Sequence, residues 1–288
     1  MDRYINSDKN LAEVLISQLE WHQYLGLIFK DYFYGTRFVV DLEVDLTNLQ
    51  EIIDIIILRQ ETGDEPEELP DGLENLGKYN LVTFKALGDT LSEWVLDELL
   101  GYYVRYRKKI SPSLKKLVPR EDFRLYAICV HKPGLVKNAV EIKKDAVYDI
   151  KWGSFTVRII IAGRIAGEKK NAIWEFFSGN MEKVKDGIKN YHAHTAKFWS
   201  MMRDLIKKYN LEGLAMSATA EQLMEQCEKN VLASMSIERR LAGLSPDDRL
   251  HGLSPDDRLH GLSPENIEAY LKKIRQKSAN DGRSGERI

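Results

Sequence analysis

The sequence predicts an α/β domain that is followed by a helical extension and by short tandem helical repeats. Three observations support this prediction. In the first 170 residues, short runs rich in Val, Ile, Phe and Tyr alternate with stretches of helical apolar spacing. Strand-like runs end by about residue 171, and a nine-residue unit recurs near the C-terminus. Because strands that are apolar on both faces need helices to cover them, we expect a sheet flanked by helices.

The α/β domain begins with a helix that is predicted over residues 8–34, where Leu11, Val14 and Leu25 recur at helical spacing. Gly35 is expected to end this helix. A second helix is predicted over about 90–110, between the third and fourth strands. Five strands are predicted, each bounded by turn residues, at 37–44, 51–59, 80–86, 123–131 and 156–163.

The helical extension is predicted as successive helices at 171–180, 187–209 and 218–235. The repeat SPDDRLHGL follows, with identical copies at 245–253 and 254–262. A weaker copy, SIERRLAGL, precedes them, and SPENIEAYL follows and continues into a longer helix. The two identical copies begin with Ser as N-cap, Pro at the first helical position and acids in the first turn, which predicts one short helix per repeat.

The first three copies each carry two leucines three residues apart, which give the short helix one small apolar face. Such a face must stack on neighbouring repeats, on the main domain or on another chain. The predicted organisation is therefore a domain at 1–170, a helical extension at 171–235, repeats at 236–276 and a disordered polar tail at 277–288.

Composition and charge indicate an ordinary globular protein, with 43% hydrophobic and 30% charged residues and a net charge of -2 over 288 residues. Charge is segregated locally, since residues 61–74 hold seven acids and no base, whereas residues 101–120 hold seven bases and no acid. The two cysteines show neither metal-ligand spacing nor a disulfide framework. With no run of about 18 apolar residues, we expect a cytoplasmic protein without membrane contact.

Asp54 and Lys85 form the candidate chemical pair, because each stands in an apolar run predicted as a strand. Asp54 is the only charge in IIDIIIL, where burial is unfavourable unless a cation or a hydrogen-bond donor compensates it. Lys85 ends the run NLVTFK, directly before the predicted helix. Without chemistry, Asp54 would cap a loop or form a buried salt bridge with Lys85.

The order of a helix, a strand with Asp, a strand ending in Phe84-Lys85 and a second helix resembles the PD-(D/E)XK nuclease superfamily. The C-terminal repeats make the chain similar to the transposase-associated, recombination-promoting nuclease-like family, whose members carry SPEERLxGL-type repeats. The resemblance covers roughly the first half of the chain and the repeats. It implies a restriction-endonuclease-like sheet and Mg²⁺- or Mn²⁺-dependent hydrolysis of DNA, linked to mobile elements, recombination or defence. Asp54 would bind the metal, and Lys85 would position the attacking water.

The chain departs from this family at Thr83, which stands where the Glu of Glu-x-Lys is expected. Some members of the superfamily carry the second acid on the following helix. This makes Glu98 a catalytic candidate and makes Glu93 and Asp97 candidate metal ligands, although acids on helix surfaces are ordinarily just solvated. Further candidates, on the first helix and beside the Asp54 strand, are Glu20, Glu51 and Gln60.

Residues 101–120 form a basic segment, in which the charges alternate with Tyr102, Tyr103 and Tyr106. This pattern suits phosphate contacts and base stacking on DNA. The alternative is the solvated C-terminal end of a helix, which also favours bases. The candidate DNA-binding residues are Arg105, Arg107, Lys108, Lys109, Lys115 and Lys116.

Two other interpretations remain beside the nuclease. Thr83 favours a catalytically degenerate relative that binds DNA or a protein partner and self-assembles through the repeats. A third possibility is an oligomeric scaffold in which the repeats are the functional part. His192 and His194 fall within the predicted helix at 187–209, where their side chains would point about 200° apart and could not share a metal. The sequence contains neither a Gly-rich phosphate loop nor a nucleophile elbow.

Overall fold

The computed structural model describes residues 20–45, 52–195, 197–214, 217–242 and 244–281. The chain divides into two compact units, with the boundary between Ser234 and Met235. None of the helices in the described ranges is long and apolar enough to cross a membrane.

Across its described residues, the first unit forms one mixed sheet of seven strands. The strands are β1 (Phe38–Asp45), β2 (Ile52–Arg59), β3 (Tyr79–Lys85), β4 (Phe123–Cys129), β5 (Val140–Lys143), β6 (Val147–Trp152) and β7 (Phe155–Ile161). Their order across the sheet is β1-β2-β3-β4-β7-β6-β5. β3, β4 and β7 run parallel to one another, and all other neighbouring pairs are antiparallel.

Six α-helices accompany this sheet in the described part of the first unit. They are α1 (Trp21–Tyr32), α2 (Glu93–Ile110), α3 (Ala172–Glu175), α4 (Met181–Asn190), α5 (Phe198–Leu211) and α6 (Ser217–Ser234). α2 packs on one face of the sheet, in a core with Ile56, Leu81 and Leu125. α1 and α3 to α6 contribute to the core on the other face, which includes Tyr126 and Trp174. The prediction of a sheet flanked by helices is confirmed, and the helical extension shares the core of the sheet.

The five predicted strands are present as β1 to β4 and β7, but β5 and β6 were not predicted. All four residues of β5 are exposed and two of them are charged, so this edge strand lacks the apolar signal of the others. In β6, Asp149 and Lys151 interrupt the apolar run. α1 ends at Tyr32, and Gly35 follows it with a φ of 77° in the left-handed region. The predicted start of this helix, at residues 8–19, lies outside the described residues.

The single helix predicted over 187–209 is wrong, because the chain leaves helical geometry between α4 and α5. Asp31 of α1 accepts hydrogen bonds from the backbone N–H groups of His194 (3.0 Å) and Thr195 (2.8 Å), and from the hydroxyl of Tyr191 (2.9 Å). These bonds replace the helical ladder in residues 191–195. The prediction that helical geometry keeps the side chains of His192 and His194 apart is therefore also wrong, since their ring centroids lie 5.8 Å apart in this loop.

The second unit contains the repeats, as α7 (Ile237–Leu241), α8 (Pro246–Leu250), α9 (Pro255–Leu259) and α10 (Pro264–Asp281). The predicted capping is confirmed, since the hydroxyls of Ser245 and Ser254 accept hydrogen bonds from backbone N–H groups three residues later. The repeat arginines add a second link: Arg249 donates to the carbonyl of Leu244 and Arg258 to that of Leu253.

The leucines of the repeats keep between 37% and 53% of their surface exposed in this structure. They are Leu241, Leu244, Leu250, Leu253, Leu259 and Leu262. The polar tail predicted from residue 277 is helical as far as Asp281, because α10 continues to that residue. Residues 282–288 lie outside the described residues.

Candidate active site

Asp54 and Thr83 contact each other across the antiparallel β2–β3 pair. The pair Ile55–Val82 sets a register that places Asp54 opposite Thr83. Asp54 Oδ2 accepts a hydrogen bond from the Thr83 hydroxyl (3.0 Å) and another from the backbone N–H of Phe84 (3.2 Å). Thr83, at the position where the family pattern has Glu, is thus a donor to Asp54 and not a second carboxylate beside it.

Lys85 lies at the end of β3, two residues after Thr83 and therefore on the same face of the sheet. This face is the one that α2 covers, and Lys85 is aligned with Cys129 in the parallel β4. Lys85 is half-buried. No carboxylate of the described residues, Asp54 included, forms an ion pair with it. Asp54 and Lys85 are therefore close in the sheet without forming the buried salt bridge of the non-chemical interpretation.

The three candidate acids of α2 differ in their surroundings. Asp97 accepts a hydrogen bond from the indole N–H of Trp152 on β6 (2.8 Å). Glu98 accepts one from the indole N–H of Trp94, one turn earlier on the same helix (2.8 Å). Glu93 is exposed and lines a cavity of about 690 Å³ together with Lys151 and Trp152.

Asp97 and Glu98 are consecutive residues, so their side chains project about 100° apart around α2. The Trp152 contact shows that the Asp97 flank faces β6, and Glu93 is one turn before Asp97 on that flank. Glu98 lies two turns before Tyr106 on α2, on the side of the helix that leads towards Tyr106. The ring of Tyr106 contacts that of Tyr79 on β3, with 6.2 Å between centroids. Of the three acids, Glu98 is therefore on the flank nearer to β2 and β3.

The C-terminal half of α2 lies over the starts of the parallel strands. Tyr106 contacts Tyr79, and Tyr103 contacts Phe123 and Phe155, with ring centroids 5.1 and 4.4 Å apart. Lys85 is at the other end of β3, and β3 has seven residues. At roughly 3.3 Å per residue, the strand separates the two regions by about 20 Å. The basic segment that ends α2 is therefore remote from Asp54.

Two of the three tyrosines of the basic segment are not placed to stack on bases, because Tyr103 and Tyr106 are buried in the core under α2. Burial, and after it the charges of Tyr79 and Asp41, raise the pKa of Tyr106 to about 12. Arg107 is engaged as well, since its Nε donates to the carbonyl of Val118 (2.7 Å). The other five candidate bases are exposed, namely Arg105, Lys108, Lys109, Lys115 and Lys116.

The remaining candidates lie elsewhere. Glu20 is the N-cap of α1 and is exposed, with its backbone N–H bonded to Gln23. Gln60 is exposed, and its backbone carbonyl accepts from Arg37. Glu51 lies outside the described residues.

One acid opposite Asp54 in the sheet was not among the sequence candidates, and its carboxylate contacts α1 on the other face of the sheet. Glu43 of β1 occupies the register position opposite Asp54 and has a φ of 51°, which is uncommon for a residue other than glycine. Its carboxylate contacts the side chains of His22 and Gln23 on α1. The sequence held no signal for this conformation, because glutamate is not a residue that favours positive φ.

Neither a family model nor a curated protein nor a solved structure matches the chain. In the described ranges, no three His, Cys, Asp or Glu side chains form a group that could hold a metal ion.

Proposed function

We propose that the first unit is a metal-dependent DNA endonuclease of the PD-(D/E)XK type with a restriction-endonuclease-like fold. The observation that carries the proposal is the relation of Asp54 to Lys85, which come from neighbouring strands, on the same face and at the same end of the sheet. The order α1, β1, β2, β3, α2 agrees with the element order of that superfamily.

The chemistry assigned to the site is hydrolysis of a phosphodiester bond by water. Asp54 Oδ2 is held by two donors, so the carboxylate has a defined orientation, with Oδ1 available as a ligand for Mg²⁺ or Mn²⁺. The ammonium group of Lys85 would orient the attacking water and offset negative charge that develops on the phosphate oxygens. The metal, when bound, would polarise the phosphate and lower the pKa of its water.

A hard divalent cation needs more oxygen ligands than Asp54 alone, and Glu98 is the acid that we assign as the second carboxylate. Glu98 lies on the flank of α2 that is nearer to β2 and β3, whereas Asp97 and Glu93 lie on the flank facing β6. Glu98 would have to exchange its bond with Trp94 for the metal.

The test is cleavage of supercoiled plasmid in Mg²⁺ and in Mn²⁺ by the full chain. We expect Asp54→Ala, Lys85→Ala and Glu98→Gln each to lower the rate by roughly 100-fold or more, since each removes a group that acts in the transition state. Asp97→Asn is the matched control and should cut like the wild type. Equal cleavage by wild type and Asp54→Ala would reject the site.

A second candidate function is favoured by the Thr83–Asp54 hydrogen bond, which gives Asp54 a structural partner in place of a metal-binding neighbour. In that case the protein binds DNA or a protein partner without cutting. A wild type that shows no cleavage in either metal, yet retains DNA binding, would select this function.

We also propose that the repeats join copies of the chain. Their leucines are exposed at nine-residue intervals, and matching faces on a second copy would cover them.

A further inference from the structure

A polar cavity of about 500 Å³ lies at the starts of β4 and β7, at the end of the sheet opposite Lys85. Phe123 and Phe155, the first residues of these strands, line it. Three arginines and two acids also line the cavity: Arg120, Arg124, Arg158, Glu121 and Asp149.

The charge of Arg158 is already compensated by two acids, Asp149 and Glu74, and Glu74 Oε2 lies 3.5 Å from Arg158 Nη1. Arg158 is buried and donates to both carboxylate oxygens of Asp149, at 2.8 and 2.9 Å. Such a bidentate pair occupies the recognition edge of the guanidinium. The charge that the cavity offers to a ligand therefore comes from Arg120 and Arg124, with Glu121 as the one opposing acid.

Arg120 and Arg124 are held in place by contacts that leave their charge uncompensated. Arg124 Nη1 donates to the backbone carbonyls of Glu121 (2.7 Å) and Phe123 (2.8 Å). The guanidinium of Arg120 stacks over the ring of Phe155, 3.9 Å from its centroid. Within the part of the chain that the structure describes, neither arginine forms an ion pair with a carboxylate. Two fixed and unpaired guanidinium groups suit a phosphate, which they can bind by planar, bidentate hydrogen bonds.

The cavity and the basic segment are joined through one set of contacts. Arg107 binds the carbonyl of Val118 and the hydroxyl of Tyr103, and Tyr103 packs on Phe155, the ring over which Arg120 stacks. The exposed lysines Lys108, Lys115 and Lys116 therefore belong to the same end of the unit as the cavity. A ligand with phosphates at regular spacing could use both, whereas a single phosphate would use the cavity alone.

We propose that this cavity binds a phosphate group of a nucleic-acid strand through Arg120 and Arg124. The strand continues over the exposed lysines that follow α2. The site does not depend on cleavage at Asp54, which lies at the other end of the strands.

The test is the affinity of the full chain for a labelled oligodeoxythymidine, measured by fluorescence anisotropy in EDTA so that no cleavage occurs. The double variant Arg120→Ala/Arg124→Ala should bind at least tenfold more weakly. Its log–log salt dependence should be shallower by about 0.7, since the cavity holds one phosphate and each phosphate contact to a single strand contributes about 0.7. Lys144→Ala removes an exposed charge on the β5–β6 turn and is the control, with affinity within twofold of the wild type.

Two further variants test the chemistry of the cavity. Glu121→Gln removes the one opposing charge, so it should tighten binding. Arg120→Lys keeps the charge and loses the planar guanidinium, so it should recover only part of the affinity that Arg120→Ala loses. Matching thermal melts of the double variant and the wild type show that the fold is intact.

Calorimetric titration with thymidine monophosphate distinguishes a site for a nucleic-acid strand from a site for a free nucleotide. If the mononucleotide binds the wild type and not the double variant, the cavity is a phosphate site that accepts a free nucleotide. The proposal is overturned if neither the oligonucleotide nor the mononucleotide distinguishes the double variant from the wild type. Asp54→Ala should bind the oligonucleotide like the wild type. The binding test therefore stays valid even if the protein does not cleave DNA.

Discussion

At the scale of single residues, Thr83 shows how much of a site depends on one position. The strand patterns of IIDIIIL and NLVTFK were sufficient to place Asp54 and Lys85 on two consecutive predicted strands, and these strands are neighbours in the sheet. They could not predict that the Thr83 hydroxyl donates to Asp54, since that depends on the register of β2 against β3.

Glu175 gives a residue-scale prediction about pH. It is 5% exposed, and its Oε2 has no hydrogen-bond partner among the residues that the structure describes. Burial, and after it the charge of Asp186, raise the pKa of this carboxyl above its ordinary 4.5. The folded state therefore binds the proton more tightly than the unfolded state, and stability falls as pH rises from about 4.5 through the raised pKa.

Glu175→Gln should remove this pH-dependent loss. At pH 7 the variant should be more stable than the wild type by on the order of 1 kcal/mol, the scale of one unsatisfied buried group. Below the ordinary glutamate pKa the difference should vanish. Urea unfolding at pH 4 and pH 7 measures both values, and an equal difference at the two pH values would contradict the assignment.

At the scale of elements, the strong apolar patterns were predictable and the weak ones were not. β2 and β3 are apolar through most of their length and were found, whereas β5 is an exposed edge strand whose sequence VEIK carries no burial signal. The loop at 191–195 was missed for a different reason. It is fixed by Asp31, about 160 residues earlier in the chain, and local spacing cannot reveal such a partner.

Asp31 gives the element-scale prediction. The carboxylate is 4% exposed and accepts hydrogen bonds from Tyr191, His194 and Thr195, so it ties α1 to the loop between α4 and α5. Asp31→Ala should lower the free energy of unfolding by about 3 kcal/mol, because several buried donors lose a charged acceptor. Asp89 is exposed, so Asp89→Ala should change the free energy of unfolding by less than about 0.5 kcal/mol. Urea denaturation of the two variants provides the comparison, and a cost for Asp31→Ala as small as that for Asp89→Ala would remove Asp31 from this role.

At the scale of the whole molecule, the two units have different grounds for stability. The first unit has a continuous core on both faces of its sheet, whereas the repeats of the second expose the leucines that they share. The repeat helices could be predicted one by one because Ser, Pro and the acids act within a single turn. The surface that covers the leucines could not be predicted, because it depends on contacts between repeats or between chains and not on residues within one turn.

The exposed leucines of the repeats are the basis of the proposed self-assembly. Replacing Leu250, Leu253, Leu259 and Leu262 by Gln in the full chain should lower the mass measured by sedimentation, because the apolar faces would no longer match between copies. The control replaces the exposed His251 and His260 by Gln and should keep the mass of the wild type. Helix content by circular dichroism shows whether the repeats still fold. Equal mass for the leucine variant and the wild type would reject assembly through the repeats.

The proposal that Asp54 and Glu98 hold a divalent cation beside Lys85 is tested by Mn²⁺ binding to the full chain in the absence of DNA. Calorimetric titration of the wild type should reveal one site. Asp54→Asn and Glu98→Gln should each weaken it by roughly tenfold or more, while Asp97→Asn binds like the wild type. A wild type that binds no Mn²⁺, or variants at Asp54 and Glu98 that bind it unchanged, would contradict this site and favour the second candidate function, in which the protein binds DNA or a protein partner without cutting.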